Sequence, residues 1–227
     1  LASNYWRIQL WRLTSLASNK LNSMRFLSVL FLLLFAGQTS FAQSDAAAIS
    51  QIEMFQSQLN ADYTNPEESP LPAEEIPHFK GHQFFKVDLK YRVKASVERL
   101  ANQDTVSFPT TAGKFKQYIP FLKLSFKIDD TLNVLYAYQS VALMQKEEYK
   151  DFLFLPFTDK SNGFGSYGGG RYIDLRIPSG DEMIIDFNQC YNPYCAYSNA
   201  FNCPIPPEVN RLKMAIPAGV MAPEGHK

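Results

Sequence analysis

The sequence predicts a mainly β protein, an antiparallel β-sandwich or barrel-like domain with one N-terminal helix. Short segments rich in aromatic and β-branched residues recur along the chain from residue 83 onwards and predict strands, among them KFKQYI, FLKLSFKI, FLFLPF, RYIDLRI, EMIIDF and RLKMAI. Several of them alternate apolar and polar residues, as FLKLSFKI at 121–128 does, and this is the period of a half-buried strand. Turn signals such as PTTAG, KSNGFGS and PSGD separate the segments. About eight short strands with such spacing are typical of sandwiches and barrels.

The first methionine, Met24, begins a segment with the pattern of a secretory signal. Arg25 supplies a short positive region, and the apolar run FLSVLFLLLFAG that follows is too short to span a membrane. We expect a signal peptide over 24–42, cleaved after Ala42, and a periplasmic or extracellular mature protein without a membrane span. Residues 1–23 are then an untranslated or extraneous N-terminal extension.

After that cleavage, 185 residues remain, enough for one domain with its own core. Ile49, Ile52 and Leu59 have helical spacing and predict an amphipathic helix within residues 43–64. A connector rich in proline and acidic residues follows the helix. The rest, over 65–227, is predicted as a single β-rich domain.

The charge balance argues against a nucleic-acid partner. The chain has 22 basic and 22 acidic residues, and four of the basic ones fall in residues 1–42, so the mature domain is slightly acidic. A nucleic-acid binder would show a basic excess or a basic stripe. The partner that we predict is a small-molecule ligand, for which the candidate residues are given below.

The segment GFGSYGGG contains Gly163, Gly165 and Gly168 at the spacing of a dinucleotide-binding loop. That function requires a helix directly after the glycines, whereas RYIDLRI alternates as a strand does. We interpret the glycines as a loop that needs positive φ angles or close backbone approach, and we expect no cofactor.

The segments RYIDLRI and EMIIDFN, joined by PSGD, have the pattern of a β-hairpin. A tight turn places Arg171 opposite Asn188, with Asp186 diagonal to Arg171. Since side chains alternate in direction along a strand, these three would share one face. They form a candidate ligand site in which Arg171 recognises an anion or carboxylate. An ion pair that closes the end of the sheet fits the same residues equally well.

All three cysteines lie in DFNQCYNPYCAYSNAFNCP, spaced C-x4-C-x7-C. Structural zinc sites use closer pairs and four ligands, and the histidines are distant in sequence, so no metal site is expected. An exported chain favours a disulfide, and we predict Cys195 with Cys203 as a clasp of the loop. Cys190 is then a buried small residue or a free thiol. The tyrosines of this segment can stack a sugar, but packing under a loop is their commoner use.

Six motifs occur in order along the chain: SPLP, FKGHQFFKVDLKYRV, FLPFTD, YGGGRYIDL, DFNQCYNPYCAY and CPIPPEVNRLKMAIPAG. Together they resemble the bacterial and archaeal family called domain of unknown function 1684, over most of the mature chain. The resemblance implies an identity and no mechanism, because no activity, substrate or cofactor is established for that family. Cys190 departs from the family pattern. The positions that match it include Tyr167, Arg171, Asp186, Asn188, Asn192, Cys195, Tyr197, Cys203 and Asn210.

We predict a binding module for a small anionic or polyhydroxyl ligand, located where the hairpin end meets the cysteine-rich loop. The candidate ligand-binding residues are Arg171, Asp186, Asn188, Asn192 and Tyr197. Two alternatives stay open. One is a hydrolase-type enzyme with Cys195 or Asp186 as reactive group, which for a thiol requires a free Cys195 of low pKa. The other is a purely structural protein of the cell envelope.

Overall fold

The computed structural model describes residues 44–223, so the predicted signal peptide and the segment before it lie outside the described residues. The described residues from Ile49 onwards form one compact unit, which contains all the strands described below. Helix α1 covers residues 44–64, which confirms the predicted N-terminal helix. Over the described part of the chain, no helix combines the length and the apolar character needed to cross a membrane.

Seven strands form one curled antiparallel sheet, so the barrel-like prediction is confirmed as a half-barrel. The strands are β1 (Arg92–Arg99), β2 (Val106–Pro109), β3 (Phe115–Ile128), β4 (Thr131–Ser140), β5 (Phe152–Phe157), β6 (Arg171–Arg176) and β7 (Glu182–Asp186). Their order across the sheet is β6-β5-β4-β3-β1-β7, and β2 pairs with β3. The short β2 was not predicted, whereas the two segments predicted around Pro120 are one strand, β3.

The two faces of the sheet carry different cores. The main core lies on one face and includes Leu122 and Ala137, while an aromatic cluster on the other face includes Tyr118 and Tyr138. A bulge between Pro120 and Leu122 lets β3 contribute to both, because one extra residue reverses which side chains point to which face. The aromatic cluster consists of Phe108, Tyr118, Tyr138, Phe154 and Tyr172.

The predicted hairpin between β6 and β7 is wrong. β6 pairs with β5 and β7 pairs with β1, so the two strands are the opposite ends of the sheet. Only residues 177–181 connect them, and the sheet must therefore curl until its ends approach each other at that turn. Away from the turn, β6 and β7 do not pair with each other. The C-terminal segment 216–220 lies there instead and forms hydrogen bonds with Arg171 and with Cys190.

The segment RLKMAI at 211–216, predicted as a strand, is irregular in the structure. It follows the end of β5 through isolated backbone hydrogen bonds, such as Leu212 N–H to the Thr158 carbonyl at 2.8 Å. Leu212 and Ile216 enter the main core. The apolar residues of this segment alternate because they pack into the core, as those of a strand would. The segment itself is irregular and covers the open side of the half-barrel.

Candidate functional site

Arg171 is the first residue of β6, and its side chain is completely buried. Its Nη2 donates to Asp159 Oδ2 at 2.9 Å and to the Ile216 carbonyl at 2.7 Å. Its Nη1 donates to the Ala218 carbonyl. Arg171 therefore ties the C-terminal segment to the sheet, and none of its surface is accessible to a ligand.

Asp159, which sequence reasoning missed, completes this buried ion pair. Its side chain is as fully buried as that of Arg171, and its Oδ1 accepts hydrogen bonds from Ser161 N at 2.7 Å and Ile216 N at 3.0 Å. A buried ion pair is tolerated only when additional hydrogen bonds satisfy both charges. In the sequence, Asp159 follows an apolar strand in a segment that has the pattern of an ordinary turn.

Asp186 and Asn188 lie at the end of β7 and hold the chain against the segment before β1. Asp186 Oδ1 accepts hydrogen bonds from Asn188 N at 3.0 Å and from Asn188 Nδ2 at 2.9 Å. Arg92 Nε is 3.5 Å from Asp186 Oδ2. Burial raises the pKa of Asp186, and the hydrogen bonds from Asn188 oppose that shift.

Asn192 is buried in the loop after β7, where its Nδ2 donates to the Met221 carbonyl at 2.8 Å and to the Tyr197 hydroxyl at 3.0 Å. The ring of Tyr197 packs edge-on against Tyr63, with ring centroids 5.0 Å apart, and against His82 at 5.5 Å. Tyr197 therefore packs under the loop, which is the commoner of the two uses considered for the tyrosines of this segment.

The five predicted ligand residues thus lie in three separate places. Arg171 pairs with Asp159 rather than with Asp186, and the shared face expected from a hairpin does not exist. A ligand role for these residues stays a prediction, and their burial and hydrogen bonding give it no support.

Two buried asparagines act as substitute peptide groups. Asn210 Oδ1 accepts from Tyr136 N at 2.8 Å, and its Nδ2 donates to the carbonyls of Tyr136 and Pro156 at 2.8 and 2.7 Å. β4 and β5 share a single paired position, so Asn210 bridges them where the ladder is incomplete. Asn188 pairs in the same way with both backbone groups of Asp88, at 3.1 and 3.0 Å.

A different group of side chains meets where the cysteine-rich loop packs against the turn after β2. Cys195 N–H donates to Cys203 Sγ at 3.2 Å, and Cys203 N–H donates to Thr111 Oγ1 at 3.2 Å. The side chain of Cys195 is hydrogen-bonded to those of Cys203, Thr111 and Tyr167. We call these four residues the thiol cluster. Both cysteines are buried, each with 8% of its surface exposed.

The structure does not contain the predicted disulfide between Cys195 and Cys203. Both are free thiols and lie 3.5 Å apart, whereas a disulfide requires about 2.05 Å between its sulfur atoms. Backbone hydrogen bonds hold the end of the loop instead, from Thr111 N to the Cys203 carbonyl at 3.0 Å and from Ile205 N to the Pro109 carbonyl at 2.8 Å. The loop therefore has its fold without the clasp.

The hydrogen bonds affect the two thiols in opposite directions. The pKa of Cys195 is lowered to about 6, first by its hydrogen bond with Cys203 and then by those with the Thr111 and Tyr167 hydroxyls. Burial acts in the opposite direction and raises this pKa. The pKa of Cys203 is raised, first by its hydrogen bond to Cys195 and then by burial. Burial and the neighbouring Cys195 raise the pKa of Tyr167 to about 12, so its hydroxyl stays a donor at neutral pH.

Sequence reasoning did not select Tyr167 or Thr111 as site residues. Tyr167 stands in the glycine-rich loop and Thr111 in the turn PTTAG, far from each other and from the cysteines along the chain. The one available signal was that Tyr167 matches the pattern of the resembling family. Thr111 carries no such signal.

Cys190 does not take part in the thiol cluster. It is fully buried, and its Sγ donates to the Ala218 carbonyl at 3.5 Å. Burial raises its pKa to about 11. Cys190 is thus a buried residue and also a free thiol, which agrees with both of the predictions left open for it. Within residues 44–223, His, Cys, Asp and Glu side chains form no group of three or more that could hold a metal ion.

A groove of about 380 Å³ follows β2 on the side of the aromatic cluster. Its walls include Phe108, Tyr136, Tyr138 and Pro207, and Val209 lies in its lining with 62% of its surface exposed. None of the lining side chains is an acid, a lysine or an arginine. The lining of the groove is thus uncharged and largely apolar.

The comparisons with known proteins agree with the fold. A family model described as "Protein of unknown function (DUF1684)" matches residues 77–221. The solution NMR structure of an uncharacterised protein from Haloarcula marismortui is similar to this chain, with a TM-score of 0.63 and 34% sequence identity. The similarity covers 81% of this chain and 99% of that one. No curated protein matches the sequence.

Proposed function

This chain belongs to the DUF1684 family of proteins of unknown function, and we propose that it acts through thiol chemistry at Cys195. One observation carries the proposal: Cys195 is a free thiol, buried except for 8% of its surface, and is hydrogen-bonded to Cys203, Thr111 and Tyr167. The thiolate is the nucleophilic form of cysteine, and hydrogen-bond donors that stabilise it lower its pKa. A free Cys195 of low pKa is what the thiol-enzyme hypothesis of the sequence analysis requires.

The protonation states of the thiol cluster fit a nucleophile at neutral pH. The lowered pKa of Cys195 favours its thiolate form, while the raised pKa values of Cys203 and Tyr167 favour their protonated forms. The cluster therefore holds one thiolate among three donors. Asp186, the other reactive group considered for a hydrolase, lies at the end of β7 with Asn188 as its hydrogen-bond partner, and it supplies no contact to Cys195.

We expect alkylation of Cys195 by iodoacetamide to have a pH midpoint near the pKa of about 6, well below the value of about 8.5 for an ordinary cysteine. Because the pKa is depressed, the thiolate is present above this pH, and reactivity is lost as the pH falls through it. Replacing Tyr167→Phe removes one donor and should raise the midpoint. The rates are measured on reduced protein by peptide mass mapping.

Two internal comparisons make this test decisive. Tyr149→Phe, on a tyrosine that does not contact the cysteines, should leave the midpoint unchanged. Cys190, fully buried and of raised pKa, should stay unmodified in the folded protein. A midpoint near 8.5 that Tyr167→Phe does not move would refute the proposal. Protein purified from the periplasm can also test our proposal of export with cleavage after Ala42. An intact mass equal to that of residues 43–227 would support that proposal.

We keep small-ligand binding as a second candidate function, because the groove along β2 favours it. The site is then the groove rather than the five residues predicted from the sequence, and the ligand is neutral and aromatic rather than anionic or polyhydroxyl. The supporting observation is the uncharged lining formed by Phe108, Tyr136 and Tyr138.

The neutral fluorophore N-phenyl-1-naphthylamine tests the groove. We expect saturable fluorescence enhancement, weakened roughly tenfold by Val209→Asp, because a carboxylate in the groove lining loses water when an apolar ring binds. Leu132→Asp is the matched control, since Leu132 is exposed to a similar extent, 65% against 62% for Val209, and does not line the groove. Equal affinities of the two variants would contradict binding in the groove.

A further inference from the structure

Cys195 and Cys203 lie close enough to form a disulfide bond after a small movement. They lie 3.5 Å apart, so rotation of the side chains over about 1.4 Å brings the sulfurs to bonding distance. Cys195 N–H already donates to Cys203 Sγ, which shows that the second sulfur faces the backbone of the first. Of the connecting residues 196–202, Ala196 is buried, whereas Tyr197 and residues 198–202 are exposed or half-buried. They can therefore adjust when a bond forms.

The two thiols are also unequal, as the members of an exchanging pair need to be. Cys195 is the one that the surrounding hydroxyls stabilise as a thiolate, and Cys203 keeps its proton. In thiol–disulfide exchange, the thiolate attacks first and the second thiol resolves the mixed disulfide. The third cysteine, Cys190, is buried against the C-terminal segment and is not available for exchange.

Building on the proposed function, we infer that Cys195 and Cys203 form a dithiol–disulfide couple whose substrates are disulfide bonds. Cys195 is the attacking group and Cys203 the resolving group. Thr111 and Tyr167 are positioning residues that hold the attacking sulfur through their hydroxyls. The disulfide predicted from the sequence as a permanent clasp is, in this inference, the oxidised state of a reactive pair.

The exchange balances without any further reactant. The Cys195 thiolate attacks one sulfur of a substrate R–S–S–R′, the substrate S–S bond breaks, and R′–S⁻ leaves with the electron pair. The Cys203 thiol gives its proton to R′–S⁻ and attacks the Cys195 sulfur, which releases R–S⁻. The substrate gains two electrons, and the protein pair loses two as it becomes a disulfide. The reverse reaction oxidises two substrate thiols, and stabilisation of the Cys195 thiolate favours this direction.

Trapping experiments with the folded, reduced protein test the couple. With oxidised glutathione, wild type should end with an intramolecular disulfide between Cys195 and Cys203 and retain no glutathione. Cys203→Ser removes the resolving thiol, so roughly tenfold more mixed disulfide should remain at Cys195. Cys195→Ser should retain none, and Cys190→Ala should behave as wild type. Circular dichroism of each variant confirms that the fold is kept.

A second arm uses a disulfide-bonded peptide in place of oxidised glutathione and compares the rates of trapping in Cys203→Ser. Faster trapping of the peptide identifies polypeptide disulfides as the substrate, and faster trapping of glutathione identifies small-molecule disulfides. Wild type that retains glutathione at Cys195 as fully as Cys203→Ser would overturn the couple, while a low alkylation midpoint would still uphold Cys195 as the reactive thiol. A Cys195 that does not react at all would overturn both.

Discussion

Replacement of Arg171 by methionine is expected to lower the free energy of unfolding by about 3–5 kcal/mol, the cost of breaking a buried ion pair from one side. The change leaves the Asp159 carboxylate buried with its charge unopposed. It also removes the donors to the carbonyls of Ile216 and Ala218, which hold the C-terminal segment in place. Urea unfolding followed by far-UV circular dichroism measures the loss.

The same strand provides a matched control. Arg176 pairs with Asp151, but the two side chains are 58% and 59% exposed, so Arg176→Met should cost only about 0–1 kcal/mol. Adding Asp159→Asn to Arg171→Met should recover part of the loss, because the unopposed charge disappears while an acceptor for Ile216 N–H remains. Equal, small losses for the two arginine variants would contradict a structural role for Arg171.

Replacement of Gly219 by alanine is also expected to lower the free energy of unfolding by a large amount. Gly219 has φ +72, where a side chain costs roughly 1–2 kcal/mol. Its new Cβ would also overlap Cys190 Sγ and lie 2.6 Å from the Phe187 carbonyl oxygen. Overpacking in a tight interior costs roughly 1–3 kcal/mol more. The loss is measured by urea unfolding as for Arg171.

Gly113 separates the two contributions to this loss. It has nearly the same φ, +70, yet a Cβ built there meets no atom within 4 Å. Gly113→Ala should therefore cost only the backbone strain of roughly 1–2 kcal/mol. In a Cys190→Ala background, part of the Gly219→Ala loss should be recovered, since the sulfur is gone and the carbonyl overlap remains. Similar losses at both glycines would show that the close approach at Gly219 is unimportant.

These variants also clarify why polar residues that match the family pattern are buried here. Arg171, Asn188 and Asn210 each satisfy backbone groups that no regular ladder reaches. A half-barrel closed by an irregular segment leaves many such groups, and an unpaired buried peptide group is costly. Long polar side chains that imitate a peptide or bind several carbonyls solve this problem, and they need not contact any ligand.

The strand prediction succeeded where it depended on local periodicity and failed where it depended on pairing. FLKLSFKI alternates because its side chains face a core and solvent in turn, and it is part of β3. The tight turn PSGD indicated a β6–β7 hairpin, yet each of those strands pairs with another partner. β2 was missed because VSFP is only four residues long and includes a proline.

The candidate site was predictable to a similar degree. The cysteine-rich loop was identified as a reactive or clasping segment, and Cys195 and Cys203 do face each other. The hydroxyls that act on Cys195 come from Thr111 and Tyr167, and no spacing rule connects these positions. The anion site at Arg171 was predicted from the same hairpin, and the observed pairing removes that argument for it while the ligand role itself stays a prediction.

The sequence by itself determined the β-rich class, the helix ahead of the sheet, the family, and the presence of a paired cysteine motif. All of these depend on features that neighbouring residues share, such as side-chain alternation along a strand. Only the tertiary structure decided that Arg171 binds Asp159 and the C-terminal segment, and that Tyr167 and Thr111 surround Cys195. Those contacts join residues far apart in the chain, and they arise from how a curled sheet closes its open side rather than from any local preference.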